Sequence, residues 1–260
     1  MPKKNSTEVV KNRNLWTKII NIASIFSMKI TAIYGSPNKS GCTFNMSQQI
    51  INQFPGAEVN NIFLSDLNIP YCKGCLLCVK KGMEYCPHAS LILPIKKALL
   101  DSNLIILASP VYVMHLTGQM KTFLDHTPAM FLIHRAEKSM FKKQAIVVSS
   151  AAGPVFKATE KEMKVVLNFW GISKIYSLGA AVAATNWETV NFKKKAIIQK
   201  KTIKIAKNVK NQNKKKQIRP SFQVRKWFFI SRLLNKKHAA SLKDKDYWTA
   251  NGWLNKTRPW

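Results

Sequence analysis

Acidic residues are scarce: 12 Asp and Glu stand against 42 Lys and Arg in 260 residues, a formal net charge of +30. Long apolar runs are missing as well. None reaches the roughly 18–20 residues that a membrane-spanning helix requires, so an integral membrane protein is not expected. The chain has no internal repeat, no Walker sequence and no GxGxxG, which weighs against nucleoside triphosphate and dinucleotide sites. No Ser-His-Asp set or paired-carboxylate set is evident. What is not lacking is hydrophobic content: at 46% hydrophobic residues a disordered tail protein is excluded. A chain of this length makes one large domain, or a domain plus an extension, and buries roughly 70% of its unfolded surface.

The charge divides the chain. From Lys193 to Trp260 there are 21 basic and two acidic residues, net +19; the first 192 positions hold 21 basic and ten acidic, net +11. The basic 193–260 extension has the density of a surface for nucleic acid or anionic lipid, or of a merely solvated face. At the other end, Lys3, Lys4, Lys11, Arg13 and Lys18 precede an apolar run, Ile19 to Met28, that Asn21, Ser24 and Ser27 interrupt. No small-x-small cleavage site follows, so 1–27 reads as an N-terminal extension, with an amphipathic surface helix as its functional alternative.

Between the two, residues 28–192 alternate strand and helix signals. Ile30–Tyr34, Glu58–Leu64, Asn103–Ala108, Gln144–Ser149 and Ser173–Leu178 read as strands. Helices are expected at about Thr43–Phe54, Leu91–Leu100, Leu116–Leu124 and Ala158–Trp170, the last ended by Gly171 as a C-cap. Such an order implies a five-stranded parallel sheet covered on both faces, with ligands outside the carboxyl ends of the strands. The loops of interest are then Gly35–Cys42, Ser109–Gly118 and Ser149–Gly153. In the first, Ser36, Asn38, Ser40 and Thr43 lead into a helix N-terminus, where hydroxyls, free N–H groups and the helix dipole suit a phosphate. The ordinary alternative is a capped helix with Thr43 as its cap.

Gly35-Ser36-Pro37-Asn38 with Thr43, Cys72-x-x-Cys75-x-x-Cys78, and Ser109-Pro110-Val111-Tyr112 with Thr117-Gly118, Lys121 and Phe123-Leu124-Asp125 resemble the flavodoxin-like NAD(P)H-dependent FMN reductases, in particular their iron–sulfur flavoprotein subgroup. The resemblance covers about residues 29–190. It implies an α/β, flavodoxin-like doubly wound sheet with FMN at its carboxyl edge. Ser36, Asn38, Ser40 and Thr43 would hold the phosphate; Pro110, Val111 and Tyr112 would line one side of the ring system, and Ala151, Ala152 and Gly153 the other. It also implies a homo-oligomer, NAD(P)H or a ferredoxin-type iron–sulfur donor, and a small acceptor such as a quinone or nitro compound. Two departures stand out: Pro87-His88-Ala89-Ser90 replaces the family's paired aspartates, and His126 replaces its Arg.

Four thiols, Cys72, Cys75, Cys78 and Cys86, lie within fifteen residues of the cysteine-rich loop 70–90. Their spacing points first to a [4Fe–4S] cluster, then to zinc, then to a disulfide or free thiols. Close thiols of this kind suit a reducing cytoplasm. Cys42 reads as a packing residue, and His115 as a surface residue or a contact to ring or substrate. In the extension, Lys193–Arg219 begins as the last helix of the sheet domain. Ser221–Lys237 is a basic helix with aromatics that packs on its own domain or a second subunit, or rests on a membrane. Trp248, Trp253 and Trp260 favour docking. The expected function is FMN-dependent electron transfer; the alternatives are a nucleic-acid or membrane-surface binder on this scaffold and a zinc-stabilised electron-transfer module.

Overall fold

A computed structural model describes residues 28–215 and 218–260; the expected N-terminal extension lies outside them. The strands are β1 Lys29–Tyr34, β2 Glu58–Phe63, β3 Leu104–Ala108, β4 Gln144–Ala151 and β5 Lys174–Ala181. All pair in parallel, in the order β2-β1-β3-β4-β5. The helices are α1 Cys42–Ile51, α2 Leu77–Lys80, α3 Ala89–Asp101, α4 Gly118–Asp125, α5 Phe156–Phe169, α6 Phe192–Asn213, α7 Phe222–Lys237 and α8 Leu242–Ala250. The fold is α/β and flavodoxin-like, with a helical C-terminal extension.

Every residue of β3 and β4 is buried, so neither sequence alternates. Successive side chains nonetheless part to opposite faces. Ile33, Ile105, Leu107, Ala145 and Val147 pack under α3, α4 and α5, together with Ile92, Phe123 and Met163. Ile30, Ala32, Leu104, Ile106, Ile146 and Val148 pack under α1 and α6, together with Met46, Ile50, Ile198 and Val209. Each such Ile, Leu, Val, Met or Phe side chain contributes about 1.5–3 kcal/mol on burial. Gly171, at φ +87, ends α5: its N–H donates to Asn168 O and that of Ile172 to Leu167 O, a Schellman arrangement.

The charge step at 193 falls in the first turn of α6, whose Ile198, Ile205 and Val209 belong to the sheet core. Packing therefore carries the sheet unit to Asn213. Charge rises earlier because the lysines of α6 face outward. Beyond it, α7 and α8 build a third core in which Val224, Phe228, Trp248 and Trp253 close on Leu132, Ala136 and Phe141. The extension thus packs on its own domain, as its aromatics suggested.

Candidate functional site

The sheet order reverses between β1 and β3, and a crevice opens there at the carboxyl ends of the strands. Gly35 ends β1 and donates its N–H to Ala108 O at 2.8 Å, tying the first loop to the end of β3. A Cβ at Gly35 would stand 2.3 Å from Thr117 Oγ1 and 3.0 Å from Met120 Cβ, so only glycine brings this turn against α4. Thr117 caps α4, its Oγ1 accepting from Met120 N–H, and its own N–H donates to Ser109 Oγ at 3.0 Å.

Within the first loop Asn38 Oδ1 accepts from both Ser40 N–H (3.0 Å) and Ser40 Oγ (2.8 Å), while Ser36 Oγ accepts from Asn38 N–H. The turn is shaped before any ligand arrives. Thr43 is not the cap of α1: the helix begins at Cys42 behind Gly41, and no side chain caps it. Thr43 instead hydrogen-bonds Ser150 Oγ at 2.6 Å, linking this loop to the end of β4. The uncapped helix start leaves its first N–H groups and its dipole facing the crevice. Burial pushes the Cys42 thiol up and its Sγ–H donates to Ala184 O, so it packs there as a neutral group.

These loops enclose a cavity of about 670 Å³, within the range of ligand sites. Of the expected cofactor residues, Ser36, Asn38, Thr43, Pro110, Val111, Tyr112, Ala151 and Ala152 line it; Ser40 and Gly153 stand outside its lining. Ser40 acts through Asn38. Val182, Ala183, Ala184, Thr185 and Thr189, after β5, also line it and were not anticipated. The small-residue run following the last strand was their one signal in the sequence.

Tyr112 and His115 exchange backbone hydrogen bonds of 2.9 and 3.0 Å around Val113 and Met114, which hold φ of +47 and +71. Two non-glycine residues at positive φ, one β-branched, strain this hairpin tip. Val113 is 92% exposed. The His115 side chain is not in the cavity lining; its Nδ1 meets Glu162 Oε1 at 2.7 Å on the surface.

A second, narrow cavity is lined by Cys72, Cys75, Cys78 and Cys86 with His88 and His126. Positive φ at Gly74, Leu76 and Gly82 folds the loop around α2. Cys72 and Cys75 are exposed, Cys86 half-buried and Cys78 buried, and all are free thiols. Burial, then the neighbouring Cys86, Cys72 and Cys75, push the Cys78 thiol up. Among the described residues no three of these sulfurs lie within 4.8 Å of one another. Thiolates on a single zinc ion at 2.3 Å stand about 3.8 Å apart.

The loop is braced from the extension. Arg135 donates to the carbonyls of Cys78 and Val79 and to Asp244, which is fully buried at the start of α8. His134 Nδ1 meets the other oxygen of Asp244 at 2.9 Å, and Ser241 Oγ donates to Val79 O at 3.2 Å. The two departures noted above also come together: His88 Nδ1 and His126 Nε2 are 2.9 Å apart.

Residues 28–189 match the profile of the NADPH-dependent FMN reductases. The chain belongs to this family. It is an FMN-dependent oxidoreductase. Over 164 residues it is 32% identical to an iron–sulfur flavoprotein of Archaeoglobus fulgidus, covering 60% of this chain and 70% of that one. Over 174 residues it is 27% identical to an iron–sulfur flavoprotein of Methanocaldococcus jannaschii, covering 64% and 85%. Among solved structures, a flavone reductase superposes with a TM-score of 0.54 at 17% identity, over 75% of this chain and 66% of that one. An azoreductase from Bacillus anthracis gives 0.52 at 12%, over 71% and 99%. At those identities the likeness is one of fold.

Proposed function

We propose that the rim cavity holds FMN and that this FMN reductase moves electrons from NAD(P)H, or from a ferredoxin-type donor, to a small acceptor such as a quinone or nitro compound. The observation that carries the reading is the convergence of the turns after β1, β3 and β4 on one cavity at the switch point of the sheet. The uncapped start of α1 and the hydroxyls of Ser36 and Thr43 would receive the phosphate, with Asn38 and Ser40 shaping the turn. Pro110, Val111 and Tyr112 would hold one side of the ring system and Ala151 and Ala152 the other, Gly153 leaving that turn open to backbone approach. When bound, FMN supplies hydride acceptance and one-electron transfer, so the chain needs no nucleophile of its own.

Cys72, Cys75, Cys78 and Cys86 would hold a [4Fe–4S] cluster, a reading supported by their shared cavity and by their close spacing along the chain. The exposed hairpin tip at Val113 and Met114, beside the cavity mouth, suits coverage by a second copy. No helix among the described residues is long and apolar enough to cross a membrane.

The absorption spectrum of the full chain, reconstituted with FMN and then anaerobically with iron and sulfide, tests both sites. Flavin bands at one equivalent are expected, with a broad shoulder that bleaches on reduction. Cys75→Ser removes the shoulder and keeps the flavin bands. A folded protein that takes up no flavin overturns the FMN site, and a shoulder that survives Cys75→Ser overturns the cluster.

A further inference from the structure

The histidines beside the thiol loop have a geometry that the flavin chemistry does not use. His126 is 2% exposed at the end of α4. Its Nδ1 lies 2.8 Å from the Thr122 carbonyl, which can only accept, so the ring proton sits on Nδ1 and the Nε2 lone pair points away from the helix. That lone pair faces His88 Nδ1 at 2.9 Å, and a ligand atom each from Cys86, His88 and His126 all lie within 4.8 Å of one another. A histidine fixed by a backbone carbonyl through one nitrogen, with the other aimed at a thiol and a second imidazole, has the orientation that metal-binding histidines take from their outer partners.

We propose that Cys86 Sγ, His88 Nδ1 and His126 Nε2 form a binding site for a single zinc-class divalent cation. The ion takes the place of the proton now shared between the two rings. Bonds of 2.0–2.1 Å to nitrogen and 2.3 Å to sulfur put tetrahedral nitrogens about 3.3 Å apart and nitrogen and sulfur about 3.6 Å apart. The rings part by a few tenths of an ångström and Cys86 closes in. Cys86 gives its thiol proton to solvent, and the proton of His88 moves to its outer nitrogen, so the step is proton release without redox change. One sulfur and two imidazoles suit zinc, and the half-buried side of the site leaves water the fourth position.

This inference rests on the same loop as the cluster reading and shares Cys86 with it, so the loop holds one occupant at a time. Cobalt(II) added to chelator-treated, FMN-loaded full chain reads the site directly, through d–d bands and a thiolate charge-transfer band. Wild type is expected to bind one equivalent in a tetrahedral spectrum, and Cys75→Ser to do the same. His126→Ala and His88→Ala weaken binding by at least about tenfold. Retained flavin reports folding in every sample, and half-buried His88 decides the matter should His126→Ala not fold. Absence of binding by wild type, tetrahedral binding that survives His88→Ala, or binding lost equally in Cys75→Ser overturns the proposal. None of these outcomes touches the flavin bands, which judge the FMN reading separately, and Cys75→Ser separates the thiolate cluster from the mixed site.

Discussion

The rim cavity and the thiol pocket are built in opposite ways. The first is roomy and walled by small residues from turns that directly follow strands. Its ties, Gly35 to Ala108 and Thr43 to Ser150, join the turn after β1 to the end of β3 and the start of α1 to the end of β4. The second is narrow, drawn from one irregular loop and held by groups outside the sheet: Arg135 joins Asp244 of α8 to the Cys78 carbonyl, and Ser241 donates to Val79 O. A cofactor site at a sheet edge is thus a by-product of folding the sheet. The thiol pocket keeps its shape through the appended helices, whose role here is to brace it. The two should fail independently.

The largest expected effect breaks the brace. Asp244→Ala strips the buried partner from Arg135 and His134, whose side chains are 14% and 15% exposed. Removing one partner of such a pair costs about 3–5 kcal/mol. Amide exchange across 76–86 and thiol reactivity at Cys78 should rise by more than an order of magnitude, while FMN stoichiometry stays at wild type. Flavin released in step with thiol exposure would show that the two regions form one cooperative unit.

The next effect is the mirror image. Gly35→Ala drives a methyl into Thr117 and Met120. Overpacking of this kind costs about 1–3 kcal/mol and pushes the first loop away from α4. FMN affinity, measured by fluorescence titration, should fall at least about tenfold, with exchange in the cysteine loop unchanged. Equal loosening of both regions would again join what the architecture separates.

The same division explains what the sequence disclosed. β3 and β4 were legible because burial on both faces writes continuous apolar stretches, Leu104–Ala108 and Ala145–Val148, and the end of α5 because Gly171 takes the one conformation a Schellman turn requires. Most of the rim lining was legible because it follows strands whose ends the pattern marks. Thr43 misled: its hydroxyl could cap a helix, but Ser150 across the cavity takes it. The brace left no local mark, since Arg135, Asp244 and Ser241 look like surface residues until the third core folds them together. Nor did α2, whose four residues are too few for propensity to show and are shaped by the loop around them. His88 and His126 were visible as departures, but 38 positions of chain separate them and only the fold pairs them.

The smallest effect sharpens what the brace is made of. Lys243, next to Asp244, meets Glu84 at 3.6 Å and lies 5.9 Å from the Tyr85 ring, so it too ties α8 to the cysteine loop. Both members of that ion pair are more than half exposed, at 52% and 59%. Water and salt screen such a pair, and its removal costs about 1 kcal/mol or less. Lys243→Ala should therefore shift the unfolding midpoint by no more than about 2–4 °C and leave exchange across 76–86 within twofold of wild type. A response as large as that of Asp244→Ala would mean that the loop is held by surface charge, and it would then weaken as ionic strength rises. An unchanged loop places the hold in the buried carboxylate, where Arg135 spans the distance between α8 and the backbone of Cys78.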